Sequence, residues 1–188
     1  MSRSGALWDT LLSFLRLGQP LNRPVRILSR RLDPFLADTR RRFGESSQIF
    51  YRPFMIGFLG SVIDGMARDV ARTSDPNLIG AMQVRVWQQI TGLSDASIGD
   101  LMSQESLRQS QGFLRGWDLG DRFRKVFEDP NTFSLWYDLA QLEGDGENDD
   151  SIRIALSDVF ETPSQEKLTK YDPRVLAAWR LSLQQGLY

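Results

Sequence analysis

Histidine and cysteine are both missing from the 188 residues of this chain. Their absence removes the usual general base near neutral pH, the most nucleophilic side chain, and the standard ligands for zinc, copper and haem. Any chemistry would have to come from carboxylates, Lys, Ser/Thr, Tyr and Arg. Without cysteine there is no disulfide scaffold, which fits a reducing compartment. Lysine is scarce too, at three against twenty arginines. Long apolar runs are lacking: Phe54 to Ile63 is broken by glycines, stops at Asp64 and falls well short of the roughly 18 residues of a membrane span. Asp9 and Arg16 interrupt the early apolar stretch and no small-residue cleavage site follows, so no secretory signal is expected. The sequence holds no GxxxxGK[ST] or GxGxxG phosphate loop and no GxSxG nucleophile elbow.

The residues present are those of an ordinary globular domain. Apolar residues make up 41% and charged residues 25%, and five Trp and eleven Phe supply large anchors for a core or a partner groove. A chain of this length forms one domain with a real core. Net charge is −1, yet its distribution is lopsided. Residues 1–53 hold ten arginines against four acids, whereas residues 54–188 hold thirteen Lys/Arg against twenty acids. Such asymmetry points to a basic arm with an anionic target, or to an arm folded onto its own acidic body.

Helix signals punctuate the chain. Four of the eight prolines follow aspartate, at Asp33-Pro34, Asp75-Pro76, Asp129-Pro130 and Asp172-Pro173. Aspartate at the N-cap accepts hydrogen bonds from free amides of the first turn, and proline next to it gives up an N–H that has no intrahelical partner. Apolar spacing predicts a helix over 6–17, ended by Gly18-Gln19-Pro20, then an extended or irregular arm over 20–32. Further helices are expected over 34–43, 53–73, 76–91, a short one after Ser94, and 104–116 and 119–128, interrupted by Gly112, Gly116 and Gly120. Phe133, Trp136, Tyr137 and Ala140 mark another. Past the acidic loop 143–150, Ile152, Leu156, Val159 and Phe160 mark the next, and Val175, Leu176, Trp179 and Leu183 the last. The expected fold is all-α: a single compact domain of seven to nine helices. Residues 1–53 would form a basic amphipathic N-terminal segment with an Arg-rich, partly irregular arm, and 54–188 the helical core domain.

Four features bear on function. Gly92, Leu93, Ser94 and Ile98 match the corner of a DNA-binding helix-turn-helix, but Gln88 is bulky where that motif needs a small residue. Asp95, Asp100 and Glu105 would also face a polyanion. A tight helix–helix corner is the plainer reading. In the N-terminal segment, Trp8, Leu11, Leu12, Phe14, Leu15 and Leu17 give a wide apolar face. Arg16, Arg23, Arg26, Arg30 and Arg31 follow, and then Arg40, Arg41 and Arg42. Apolar anchors beside basic side chains can dock a partner's groove or lie in an anionic membrane interface. The interleaved Phe35, Phe43, Phe50, Tyr51 and Phe54 could stack on single-stranded nucleic acid, though no RNA-module signature accompanies them. Third, Gly57, Gly60 and Ser61 allow close helix approach. Fourth, Asp145, Glu147, Asp149 and Asp150 offer oxygen ligands, but a calcium loop starting at Asp145 would have Asp150 in place of glycine and Leu156 in place of glutamate.

These features predict a non-catalytic interaction, adaptor or complex-assembly module, cytoplasmic or peripherally membrane-associated, with no cofactor and no metal. Trp8, Leu12 and Leu15 are the expected apolar anchors, and Arg40, Arg41 and Arg42 the expected charge contribution to partner or membrane binding. The alternatives are a helix-turn-helix DNA-binding regulator through residues 84–103 and a carboxylate-based enzyme. Ser164 and Lys167 match a Ser-Lys spacing, but they follow Pro163 at an expected helix start.

Overall fold

The computed structural model describes residues 4–44, 47–92, 98–134 and 171–187; for residues 4–20 and Ser47 it describes the backbone alone. Among these residues the chain is all-helical and contains no strand. Six α-helices are described: α1 Ser4–Phe43, α2 Pro53–Ala71, α3 Pro76–Thr91, α4 Ile98–Arg108, α5 Gln111–Glu128 and α6 Pro173–Leu187. Short 3₁₀ turns at Ser47–Tyr51 and Pro130–Thr132 precede α2 and follow α5. Several expected features lie outside the described residues: the Ser94 cap, the face built on Trp136, the acidic loop 143–150, the stripe over 152–160, and the Ser164/Lys167 pair.

Three of the four Asp-Pro pairs do what the sequence predicts. The Asp75 carboxylate accepts the Asn77 N–H at 3.0 Å and Pro76 opens α3, which Gly92 closes at φ 74° with its N–H on the Gln88 carbonyl. Asp129 accepts from the Asn131 N–H at 3.0 Å, and Asp172 accepts from the Arg174 N–H at 2.9 Å ahead of α6. Asp33-Pro34 is the exception, because it lies inside α1 rather than at its start.

The irregular arm expected over 20–32 is therefore replaced by continuous helix. Helix also runs through Gly18-Gln19-Pro20, the expected end of the first helix, and Pro20, Pro24 and Pro34 each remove an intrahelical hydrogen bond and crowd the preceding turn, at about 3 kcal/mol apiece. Against that cost stands a buried stripe at Leu21, Val25, Leu28, Leu32, Phe35 and Thr39, with Leu36 beside it. Its steps of four and three residues keep one face of the helix on the core. Six large apolar side chains at about 1.5–3 kcal/mol each match or outweigh three prolines. Tertiary burial overrides the local signal.

α2 is the central helix, buried from Phe54 through Ile63 and again at Met66 and Ala67. Its tightest neighbour is α5, through small residues. A Cβ added to Gly57 would strike the Phe113 carbonyl, and one added to Gly116 would strike the Phe54 carbonyl and the Phe58 amide. Gly120 faces the Phe58 carbonyl and Ser61 in the same way. The glycines expected to interrupt α5 are thus its contact surface, and the helix runs through them. The actual break falls at Gln109, with φ 47°, and at Ser110, whose hydroxyl accepts the Phe113 N–H at 3.3 Å.

Candidate docking surface on the first helix

The inner face of α1 is fixed by its contacts with α3 and α6. Trp179 on α6 sits fully buried among Phe35, Phe58 and Phe123, with ring centroids 5.1–5.3 Å away. Its indole N–H donates to the Thr39 hydroxyl at 3.0 Å, which in turn donates to the Phe35 carbonyl at 2.9 Å. Beside it the Arg180 guanidinium forks onto the Asp38 carboxylate at 2.8 and 3.0 Å, with both side chains nearly devoid of solvent contact. A bidentate, buried pair of this kind holds α1 and α6 in one orientation. Toward α3, Ser29 donates to Gln89 at 3.0 Å.

These contacts orient α1 and so decide which of its residues face outward. Arg23, Arg26, Arg30, Arg31, Arg41 and Arg42 are exposed, and Asp33 is the one exposed acid over 21–44. On the 3.6-residue repeat, Arg23, Arg26, Arg30 and Arg41 share a single stripe with Asp33 and Ala37, while Arg31 lies on its flank. From Arg23 to Arg41 the stripe extends about 27 Å, taking about 1.5 Å of rise per residue. Four guanidiniums along this stripe, with Asp33 the one exposed acid over 21–44, give the outward face of α1 a basic character.

The residues expected to form the site divide. Arg41 is on the ridge. Arg40 turns inward: it donates to the Ile90 carbonyl and lies 5.7 Å from the Phe50 ring centre, tying α1 to α3 and to the turn before α2. Arg42 pairs with Asp38 at 3.3 Å. Trp8, Leu12 and Leu15 belong to the helical backbone of α1, and their side chains lie outside the described residues. Arg23, Arg26, Arg30 and Arg31 are better placed than the Arg40–Arg42 triplet. Their three- and four-residue spacing was visible in the sequence, but the prolines among them hid the helix that lines them up.

The remaining features are placed as follows. Phe35, Phe50 and Phe54 are buried in the core, which removes them as stacking platforms for bases. From Ile98 to Leu107, α4 carries Asp100 and Glu105 and no Lys or Arg. Glu105 is buried and accepts the Ser110 hydroxyl at 2.8 Å. Among the described residues there is no group of three Asp/Glu, His or Cys side chains arranged to hold a metal ion, and no helix is long and apolar enough to cross a membrane. A second surface feature escaped the sequence reading: Leu107, Leu114 and Trp117 are exposed on α4 and α5, with Trp117 and Met102 packed over Gly60. No family model, no curated protein and no solved structure matches the chain.

Proposed function

We propose that the protein is a non-catalytic interaction or assembly module that docks onto an anionic surface through the outward face of α1. The observation that supports this reading is the ridge of Arg23, Arg26, Arg30 and Arg41, with Asp33 the one acid on the same face. Guanidinium groups fork onto phosphate and carboxylate oxygens, and a ridge of them raises the local concentration of an anionic target. The opposite face of the same helix is occupied by the core, so the ridge can bind without disturbing the fold.

The test is heparin binding, with heparin as a generic polyanion, by the full chain and by the triple variant Arg23→Glu, Arg26→Glu, Arg30→Glu. The wild-type chain is expected to bind at low salt, and the variant to bind at least ~10-fold more weakly while folding normally. Equal binding by the two proteins, or none by the wild type, would refute the reading.

A further inference from the structure

Resting on that docking reading, we infer that the ridge has an occupant within its own chain: the acidic segment 143–150 docks on it and competes with external polyanions. Among the described residues Arg23, Arg26, Arg30 and Arg41 form no ion pair. The acids of α5 are balanced within their own helix. Asp118 holds Arg122 at 2.9 Å, Asp121 holds Lys125 at 2.8 Å and Arg124 at 3.2 Å, and Glu128 holds Arg124 at 2.6 Å. Segment 143–150 has no such internal balance. It carries Glu143, Asp145, Glu147, Asp149 and Asp150 with no Lys or Arg, and the whole stretch 135–170 holds nine acids against three Lys/Arg. Its charge is the complement of the ridge.

Both flanks of that stretch lie beside α1. Phe127 near the end of α5 and Tyr171 just ahead of α6 pack on Phe35, with ring centroids 6.1 and 5.0 Å away. Arg174 donates to the Asn131 side-chain carbonyl at 3.1 Å, so the two flanks are also neighbours of each other. The Tyr171 hydroxyl donates to the Arg31 carbonyl at 3.2 Å, one residue past Arg30 of the ridge. Glu143 comes nine residues after Ser134, and Asp150 twenty-one before Tyr171. At about 3.3–3.6 Å per residue these tethers reach at most about 30 and 70 Å, against a ridge of about 27 Å. Tethering also sets an effective concentration on the order of millimolar, which the same segment of a second molecule in dilute solution does not match. Charge, reach and tethering select one occupant. An external polyanion then binds only by displacing it, so the segment sets the charge density that a target needs.

The experiment measures heparin binding by the full chain and by the neutralised variant Asp145→Asn, Glu147→Gln, Asp149→Asn, Asp150→Asn. Both are repeated in the Arg23→Glu, Arg26→Glu, Arg30→Glu background. Neutralisation should tighten heparin binding about 10-fold at low salt, the fold-change of three exposed ion pairs of ordinary strength. After arginine reversal the same neutralisation should change binding by less than about 2-fold, which separates a contact on the ridge from an effect of net charge. Position is read separately. Arg26→Lys puts a single amine on the ridge, and carbodiimide should join it to a carboxylate of 143–150 within the monomer, located by peptide mapping. If the wild type binds heparin through its arginines but neutralisation leaves the affinity unchanged, the intramolecular occupant falls and the docking reading stands. If the wild type binds no heparin, both fall. Tightening that persists after arginine reversal overturns the contact proposed here, as do cross-links that are absent or form only between two molecules.

Discussion

The inner and outer faces of α1 run side by side over the same turns and carry opposite chemistry. The inner face is a heptad-like row of Leu, Val and Phe closed by a buried Asp38–Arg180 pair, and the outer face is a row of arginines with one acid. Burial makes the first row sensitive to single atoms, because a close-packed interior has nowhere to put a missing or extra group. Solvent makes the second row indifferent to substitution as far as folding is concerned. The lesson is that one helix can wall the core with one set of residues and present a basic ridge to solvent with another.

The comparison can be broken most sharply from the inner side. Phe35→Ala, which empties the site between Phe123 and Trp179, should cost about 3–5 kcal/mol of stability, read as the shift in a urea midpoint. Arg180→Met should cost about 3 kcal/mol by leaving Asp38 with only the longer Arg42 contact, and adding Asp38→Leu should recover most of that loss. Recovery of nothing would mean that the pair contributes more than orientation. At a helix end remote from α1, Asp75→Ala should cost about 1 kcal/mol by removing the cap of α3.

Smaller still is a pH effect at the start of α6. Hydrogen bonds from the Arg174 guanidinium, with its backbone N–H and its charge, hold the Asp172 carboxyl below its ordinary value. A carboxyl depressed in the folded state adds stability that is complete above the unfolded value of about 3.9 and disappears as pH falls through the lower folded value. Asp172→Asn should therefore flatten the acid limb of a stability–pH curve below about pH 4 and leave the neutral region parallel to wild type. Smallest of all, Arg23→Glu, Arg26→Glu, Arg30→Glu should move the urea midpoint by no more than about 0.5 kcal/mol, although it should weaken heparin binding at least ~10-fold. A large loss of stability there would show that the ridge belongs to the fold and would collapse the distinction between the two faces.

Much of the helical framework was legible in the sequence, because its signals are local. Asp75-Pro76 with Gly92, Pro53, and Asp172-Pro173 mark real helix ends by capping chemistry that needs no tertiary partner. Where the sequence misled, the deciding interaction was long-range. Pro24 and Pro34 read as breakers until the buried row from Leu21 to Phe35 is seen against α2, α3 and α6. Gly112, Gly116 and Gly120 read as interruptions until α2 is laid across them. The same prolines bear on the candidate site. Without a helix through 20–32, Arg23, Arg26 and Arg30 share no face, and the contiguous Arg40–Arg42 is the more conspicuous basic cluster of the sequence. Two of those three are tied to other groups of the protein, Arg40 to the Ile90 carbonyl and the exposed Arg42 to the buried Asp38.

The central claim is that the outer face of α1 is a docking ridge independent of the fold, and salt dependence tests it most directly. Heparin affinity measured across a salt series gives a slope that counts the ionic contacts made. Reversing Arg23, Arg26 and Arg30 should lower that slope by about two to three, with the urea midpoint unchanged. Neither quantity should vary between about pH 6 and 8, since the chain has no histidine or cysteine to titrate there. An unchanged slope, or a fall that comes only with loss of folding, would contradict the account.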